Sequence, residues 1–132
     1  MKVSAKEQHG LRAMAELAGR YGQGPVSLGE IADALGVSLD YLEQVVPSMR
    51  DAGLLRSTRG AHGGYQLALP PDQITVGQVL QALDGEILPI RCLGADQKVS
   101  CIRSPTCAAR AVWETVHRRV VETLNGMTLA DL

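Results

Sequence analysis

Cys92, Cys101 and Cys107 are the side chains of this sequence best suited to chemistry, and they are spaced C-x8-C-x5-C. Zinc sites usually carry closer cysteine pairs, because a short chelate loop wraps one small ion. Wider spacing on an irregular segment suits the larger span of an iron–sulfur cluster, which thiolates bind readily. Redox-active thiols, a zinc site, or cysteines with no shared role are the other readings that the spacing leaves open. The count is odd, and the opening Met1-Lys2-Val3-Ser4-Ala5-Lys6 lacks the apolar run of a secretion signal. Both features argue against a disulfide framework and lead to the expectation of a cytoplasmic protein. No apolar stretch approaches the roughly 18–20 residues of a membrane span.

The 132 residues are 45% apolar but only 3% aromatic, with no Phe, so the core must be built from aliphatic side chains. That composition favours helices, in one domain plus a short appendage. Net charge is −1, and residues 1–69 hold seven Lys/Arg against seven Asp/Glu. Any affinity for nucleic acid must therefore come from local placement of cations. The sequence contains no nucleophile–base pair, and Gly60-Ala61-His62-Gly63-Gly64 is followed by no helix that would make it a phosphate loop. Neither an enzyme nor a small-molecule substrate is expected.

The elements that must carry these residues follow from periodicity and caps. Apolar Leu11, Met14, Ala15 and Ala18 predict a helix from Ser4 to about Tyr21, stopped by Gly22-Gln23-Gly24-Pro25. Ser27-Leu28-Gly29-Glu30 reads as a capping box opening a helix to Leu35, with Ile31, Ala34 and Leu35 on one face. Gly36 ends it, and Ser38 caps another helix from Leu39 to about Ala52. Two short helices joined by a glycine-containing turn form a helix-turn-helix. Leu54–Ser57 and Tyr65–Leu69 read as strands around a glycine-rich turn bearing Arg59, a hairpin placed where a wing would be. A second capping box, Thr75-Val76-Gly77-Gln78, opens a helix with Val76, Val79, Leu80 and Leu83 inward. Residues 84–106 show no periodicity and hold two of the cysteines. A long helix from Cys107 to about Leu124 carries an apolar stripe of Ala109, Trp113, Val116, Val120 and Leu124, and Thr128–Asp131 opens a last turn. The expected fold class is mainly α, a winged helix-turn-helix with a small hairpin wing and a long C-terminal helix, for which the family resemblance described below implies dimerisation. A boundary is expected at Pro70-Pro71, with a winged helix-turn-helix DNA-binding domain over 1–70 and, over 71–132, a sensor loop and a helix region to which the resemblance below assigns dimerisation.

In a helix-turn-helix the second helix enters the major groove, with its N-terminal residues at the base edges. Here these are Ser38, Asp40, Tyr41, Glu43 and Gln44. Gln44 can pair with adenine, Glu43 can accept from cytosine N4, and Tyr41 can bond to a base or phosphate. Lys2, Lys6, Arg56 and Ser57 are expected on phosphates, Arg59 in a narrow minor groove, and Tyr65 of the wing is likewise expected to bind DNA.

The segments Tyr41-Leu42-Glu43-Gln44, Arg50-Asp51-Ala52-Gly53-Leu54-Leu55 and Arg59-Gly60-Ala61-His62-Gly63-Gly64-Tyr65 resemble the IscR-like regulators of the Rrf-two family. Met1-Lys2-Val3-Ser4, Thr75-Val76-Gly77-Gln78-Val79-Leu80, Asp84-Gly85 and Thr128-Leu129-Ala130-Asp131-Leu132 extend the likeness over essentially the whole chain. The resemblance implies a homodimer on a pseudo-palindromic double-stranded operator, its C-terminal helices crossing. It also implies a 2Fe–2S cluster on Cys92, Cys101 and Cys107, and control of cluster-biogenesis genes. Response to nitric oxide or redox stress, or control of cysteine metabolism, is the alternative within the class. A zinc-stabilised interaction module is the alternative outside it. The sequence departs from the family at Pro47, where proline removes a helical hydrogen bond and is expected to bend the axis. It departs again at Arg110, which stands where several relatives carry a ligand His and has no lone pair to give a metal. His117, roughly 15 Å further along the helix, is too far, and nothing singles out Asp96. Other relatives use an acidic residue near the N-terminus, where this chain has Glu7, Gln8 and His9. Glu43 is the expected fourth ligand, with His9 next.

Overall fold

Four hydroxyl side chains start four of the helices, each by accepting from the backbone N–H three residues on, which supplies one of the helix's orphan donors with a partner. Ser4 takes the N–H of Glu7 at 3.0 Å, Ser27 that of Glu30 at 3.2 Å, Ser38 that of Tyr41 at 3.1 Å and Thr75 that of Gln78 at 3.0 Å. A computed structural model describes residues 3–87, 93 and 107–132. In it these caps open α1 (Ala5–Gly19), α2 (Leu28–Leu35), α3 (Leu39–Asp51) and α4 (Val76–Asp84), and α5 (Ala108–Gly126) follows. Strands β1 (Leu55–Thr58) and β2 (Gly64–Leu67) pair antiparallel between α3 and α4, with Leu55 opposite Leu67 and Thr58 opposite Gly64. The helix-turn-helix and its wing are thus in the expected order.

Two local expectations are corrected. The capping box at Ser27–Glu30 is present only in its serine half, because the Glu30 carboxylate accepts instead from the Arg20 guanidinium at 3.2 Å. A charge-assisted bond outcompetes a second bond to a backbone amide. On α2 the inward row is Ile31, Ala32 and Leu35, while Ala34 is exposed. Helical spacing admits either alanine, and the direction of α1 and α3 chooses between them.

Besides the burial of Leu55 and Leu67, a backbone bridge holds the wing to the body. Val26, just before α2, exchanges two 2.8 Å backbone hydrogen bonds with Tyr65. Gly64 precedes that junction with φ 153°, and a Cβ there would strike the Val26 carbonyl, so the close approach requires glycine.

One aliphatic cluster unites Met14 and Leu17 of α1, Ile31 and Leu35 of α2, and Leu42, Val45, Val46 and Met49 of α3. It continues through Leu55 and Leu67 of the wing to Ile74, Val79, Leu83 and Leu129. The cluster crosses Pro70-Pro71, so the division expected there is not a division of the core. Two backbone bonds close the chain onto this body, Leu129 to the Ile74 carbonyl at 3.0 Å and Val76 to that of Met127 at 2.8 Å. Against the described residues, α5 buries no side chain fully. On its expected apolar stripe Val116, Val120 and Leu124 are half-buried and Ala109 is exposed. Trp113 is 43% exposed, and neighbouring Val112 58%.

Candidate nucleic-acid interface and cysteine site

The buried row of α3, Leu42, Val45, Val46 and Met49, turns the opposite face to solvent. Asp40, Glu43 and Gln44 are all exposed on that face, as the sequence requires of groups that read bases. The helix is continuous through Pro47, and the Ser48 hydroxyl bonds to the Val45 carbonyl at 2.9 Å beside it.

Two expected readers are engaged within the chain. The Ser38 oxygen accepts the Tyr41 N–H as the helix cap. Tyr41 is half-buried, with its hydroxyl 3.2 Å from Nδ1 of His9 and the two rings edge to face at 5.4 Å and 87°. It ties the first turn of α3 to α1. The same contact occupies His9, the second candidate cluster ligand.

The wing presents Arg56, Ser57 and Arg59 to solvent, since Leu55 alone of β1 is buried. Among the described residues neither arginine has a carboxylate partner, so both cations are available to phosphate. His62 is exposed, and Tyr65 is half-buried against the core. Lys2 lies outside the described residues. The Lys6 ammonium, expected on a phosphate, donates within the chain to the Leu83 carbonyl at 2.7 Å. That places a cation at the negative C-terminal end of α4. Beside it the Ser4 hydroxyl donates to Asp84 at 3.0 Å, so the start of α1 holds the residue from which the cysteine-bearing segment departs.

Cys92 and Cys101 lie outside the described residues, as does Asp96. Cys107 is a half-buried free thiol at the N-cap of α5, and its side chain makes no capping hydrogen bond. Three residues on, Arg110 pairs with Glu114 at 2.9 Å, and His117 Nε2 bonds to the Ile87 carbonyl at 3.1 Å. Among the described residues no three His, Cys, Asp or Glu side chains gather as a metal site. No helix among them is long and apolar enough to cross a membrane.

Sequence reasoning missed the pairing of His9 with Tyr41 and the internal bond of Lys6, which no local spacing signals. It also missed Leu39, 43% exposed at the first position of α3. Helical arithmetic would have grouped it with Leu42, Val46 and Met49 in the core.

A helix-turn-helix followed by a pinned hairpin, with an exposed polar helix face and free cations beside it, defines a winged-helix DNA-binding regulator. The Rrf2 family model, described as an iron-dependent transcriptional regulator, matches residues 3–132, and the chain belongs to that family. It is 42% identical over all 132 residues to the HTH-type transcriptional regulator CymR of Bacillus subtilis, covering 89% of that protein. To the HTH-type transcriptional regulator IscR of Aliivibrio salmonicida it is 37% identical over the same length, covering 77%. The solved structure of CymR (YrzC), the global cysteine regulator of B. subtilis, superposes with TM-score 0.83 at 40% identity, over 99% of this chain and 95% of that one. These relatives are named as transcriptional regulators, not enzymes.

Proposed function

We propose that the chain acts as a homodimer that reads a pseudo-palindromic duplex with two copies of α3, under the control of an iron–sulfur cluster on Cys92, Cys101 and Cys107. The carrying observation is the start of α5. Among the described residues the other four α-helices begin on Ser or Thr with a side-chain cap, whereas α5 begins on a cysteine that makes none. Forgoing a cap costs about 1 kcal/mol, which fits a thiol reserved for a ligand. Three thiols suit the donor set of a 2Fe–2S cluster, and such a group would supply a centre sensitive to iron and oxidants. Glu43 is the proposed fourth ligand. A carboxylate shared between cluster and groove would couple base reading to cluster status.

Dimerisation through α5 is supported by its outward Val112 and Trp113 and half-buried Val116, Val120 and Leu124, an apolar row that a second copy would cover. Asp40, Glu43 and Gln44 are the proposed base readers. Ser38 and Tyr41 set the start of the helix, with the remaining Ser38 hydroxyl proton free for a phosphate. Lys2, Arg56 and Ser57 contact phosphates, Arg59 enters the minor groove, and Tyr65 holds the wing.

Anaerobic purification, with visible absorption and iron and sulfide assays repeated for each Cys→Ala and for Glu43→Ala, tests this reading. Colour and iron that vanish in each cysteine variant support the cluster. An unchanged spectrum in Glu43→Ala removes Glu43 from the ligand set. The likeness to CymR, the global cysteine regulator of B. subtilis, favours control of cysteine metabolism as the second reading. A colourless, iron-free protein that still binds DNA in a salt-dependent manner would select it. A zinc protein without such binding would indicate an interaction module.

A further inference from the structure

We propose that Leu39 reads thymine, by packing its side chain against the C5-methyl group in the major groove. The inference rests on α3 being the recognition helix and goes beyond it by assigning an apolar element to its code. The first two turns of α3 expose few groups that remain free. The Ser38 oxygen is spent on the cap, the Tyr41 hydroxyl faces His9, and Leu42 is fully buried. Leu39, Asp40, Glu43 and Gln44 are left facing solvent. Among them Leu39 stands first, at the end of the helix that enters the groove.

Helical side chains lean toward the N-terminus. For most residues that leaning lays the side chain over a preceding turn. Leu39 has no preceding turn of its own helix, so it overhangs the tip and remains 43% exposed although it heads the buried row of Leu42, Val46 and Met49. A single exposed leucine on a protein surface is unremarkable by itself. Here it stands one helical turn from Glu43, on a helix tip otherwise furnished with hydrogen-bonding groups. In the major groove only the thymine methyl offers an apolar surface at a base edge. The four free side chains then make a complementary set: an apolar tip for thymine, carboxylates for the cytosine amine and an amide for adenine.

The test begins by selecting bound duplexes from a randomised pool with the wild-type protein. Each thymine of the selected site is then replaced by deoxyuridine, which removes only the methyl group, and affinities are measured for wild type, Leu39→Ala and Leu39→Met. At one thymine in each half-site the loss of the methyl should weaken wild-type binding about fourfold, the size of burying one methyl group. Leu39→Met should retain that sensitivity, and Leu39→Ala should bind both duplexes equally. If every deoxyuridine substitution has the same effect on wild type and Leu39→Ala, the assignment is overturned. If wild type selects no sequence at all, the failure lies with α3 as a recognition helix, a result distinct from the first.

Discussion

Removing the hydroxyl of Tyr41 separates two roles for a residue that sequence places in the groove and structure ties to α1. Tyr41→Phe keeps the edge-to-face ring contact with His9 and deletes the 3.2 Å hydrogen bond. A half-buried bond of this kind contributes roughly 0.5–1.5 kcal/mol net. For a chain of this length that lowers the unfolding midpoint by about 2–5 °C. His9→Ala deletes the bond and also the ring contact, worth a further ~0.5–1.5 kcal/mol. The pair should therefore couple: the double variant is less destabilised than the sum of the single ones by about 0.5–1.5 kcal/mol, read from urea denaturation. DNA affinity supplies the discriminating measurement. If the hydroxyl acts only by holding the first turn of α3 in place, Tyr41→Phe weakens binding in the wild-type background and has no further effect once His9 is alanine. A hydroxyl bonded directly to DNA would cost the same in both backgrounds. Equal losses there, with stabilities additive to within about 0.3–0.5 kcal/mol, would refute the latch between α1 and α3.

Three other outcomes follow from the geometry. Gly64→Ala puts a methyl group against the Val26 carbonyl at a φ that side chains rarely adopt, and should destabilise the fold by roughly 2–4 kcal/mol; an unchanged denaturation midpoint would mean the wing is not pinned there. Val120→Asp, in the middle of the α5 row, should convert a dimer to a monomer in sedimentation while far-ultraviolet dichroism stays native, and a persistent dimer would place the interface elsewhere. Arg59→Ala should weaken binding to all duplexes alike or at narrow-groove sites, and flatten the dependence of log K on log salt by about one unit. A slope identical to wild type would take Arg59 off the DNA.

The start of nearly every element was legible in the residues, because caps and glycine stops act over three or four positions. Ser27, Ser38 and Thr75 open their helices as expected, and Gly36 closes α2 with φ 70°. The helix-turn-helix, the hairpin and the likeness to the regulator family rest on such local patterns, and so did the choice of Asp40, Glu43 and Gln44 as outward groups. What the sequence could not settle involves partners far along the chain. Tyr41 meets His9 across 32 positions and Lys6 meets the Leu83 carbonyl across 77. Which of Ala32 and Ala34 is buried depends on where α1 and α3 lie, and one core runs past Pro70-Pro71 because α4 and Leu129 return to α1. Spacing fixes the face of a helix to within a residue or so. Only the packing of helices against one another decides what each side chain on that face will touch, and therefore which polar groups remain free for DNA.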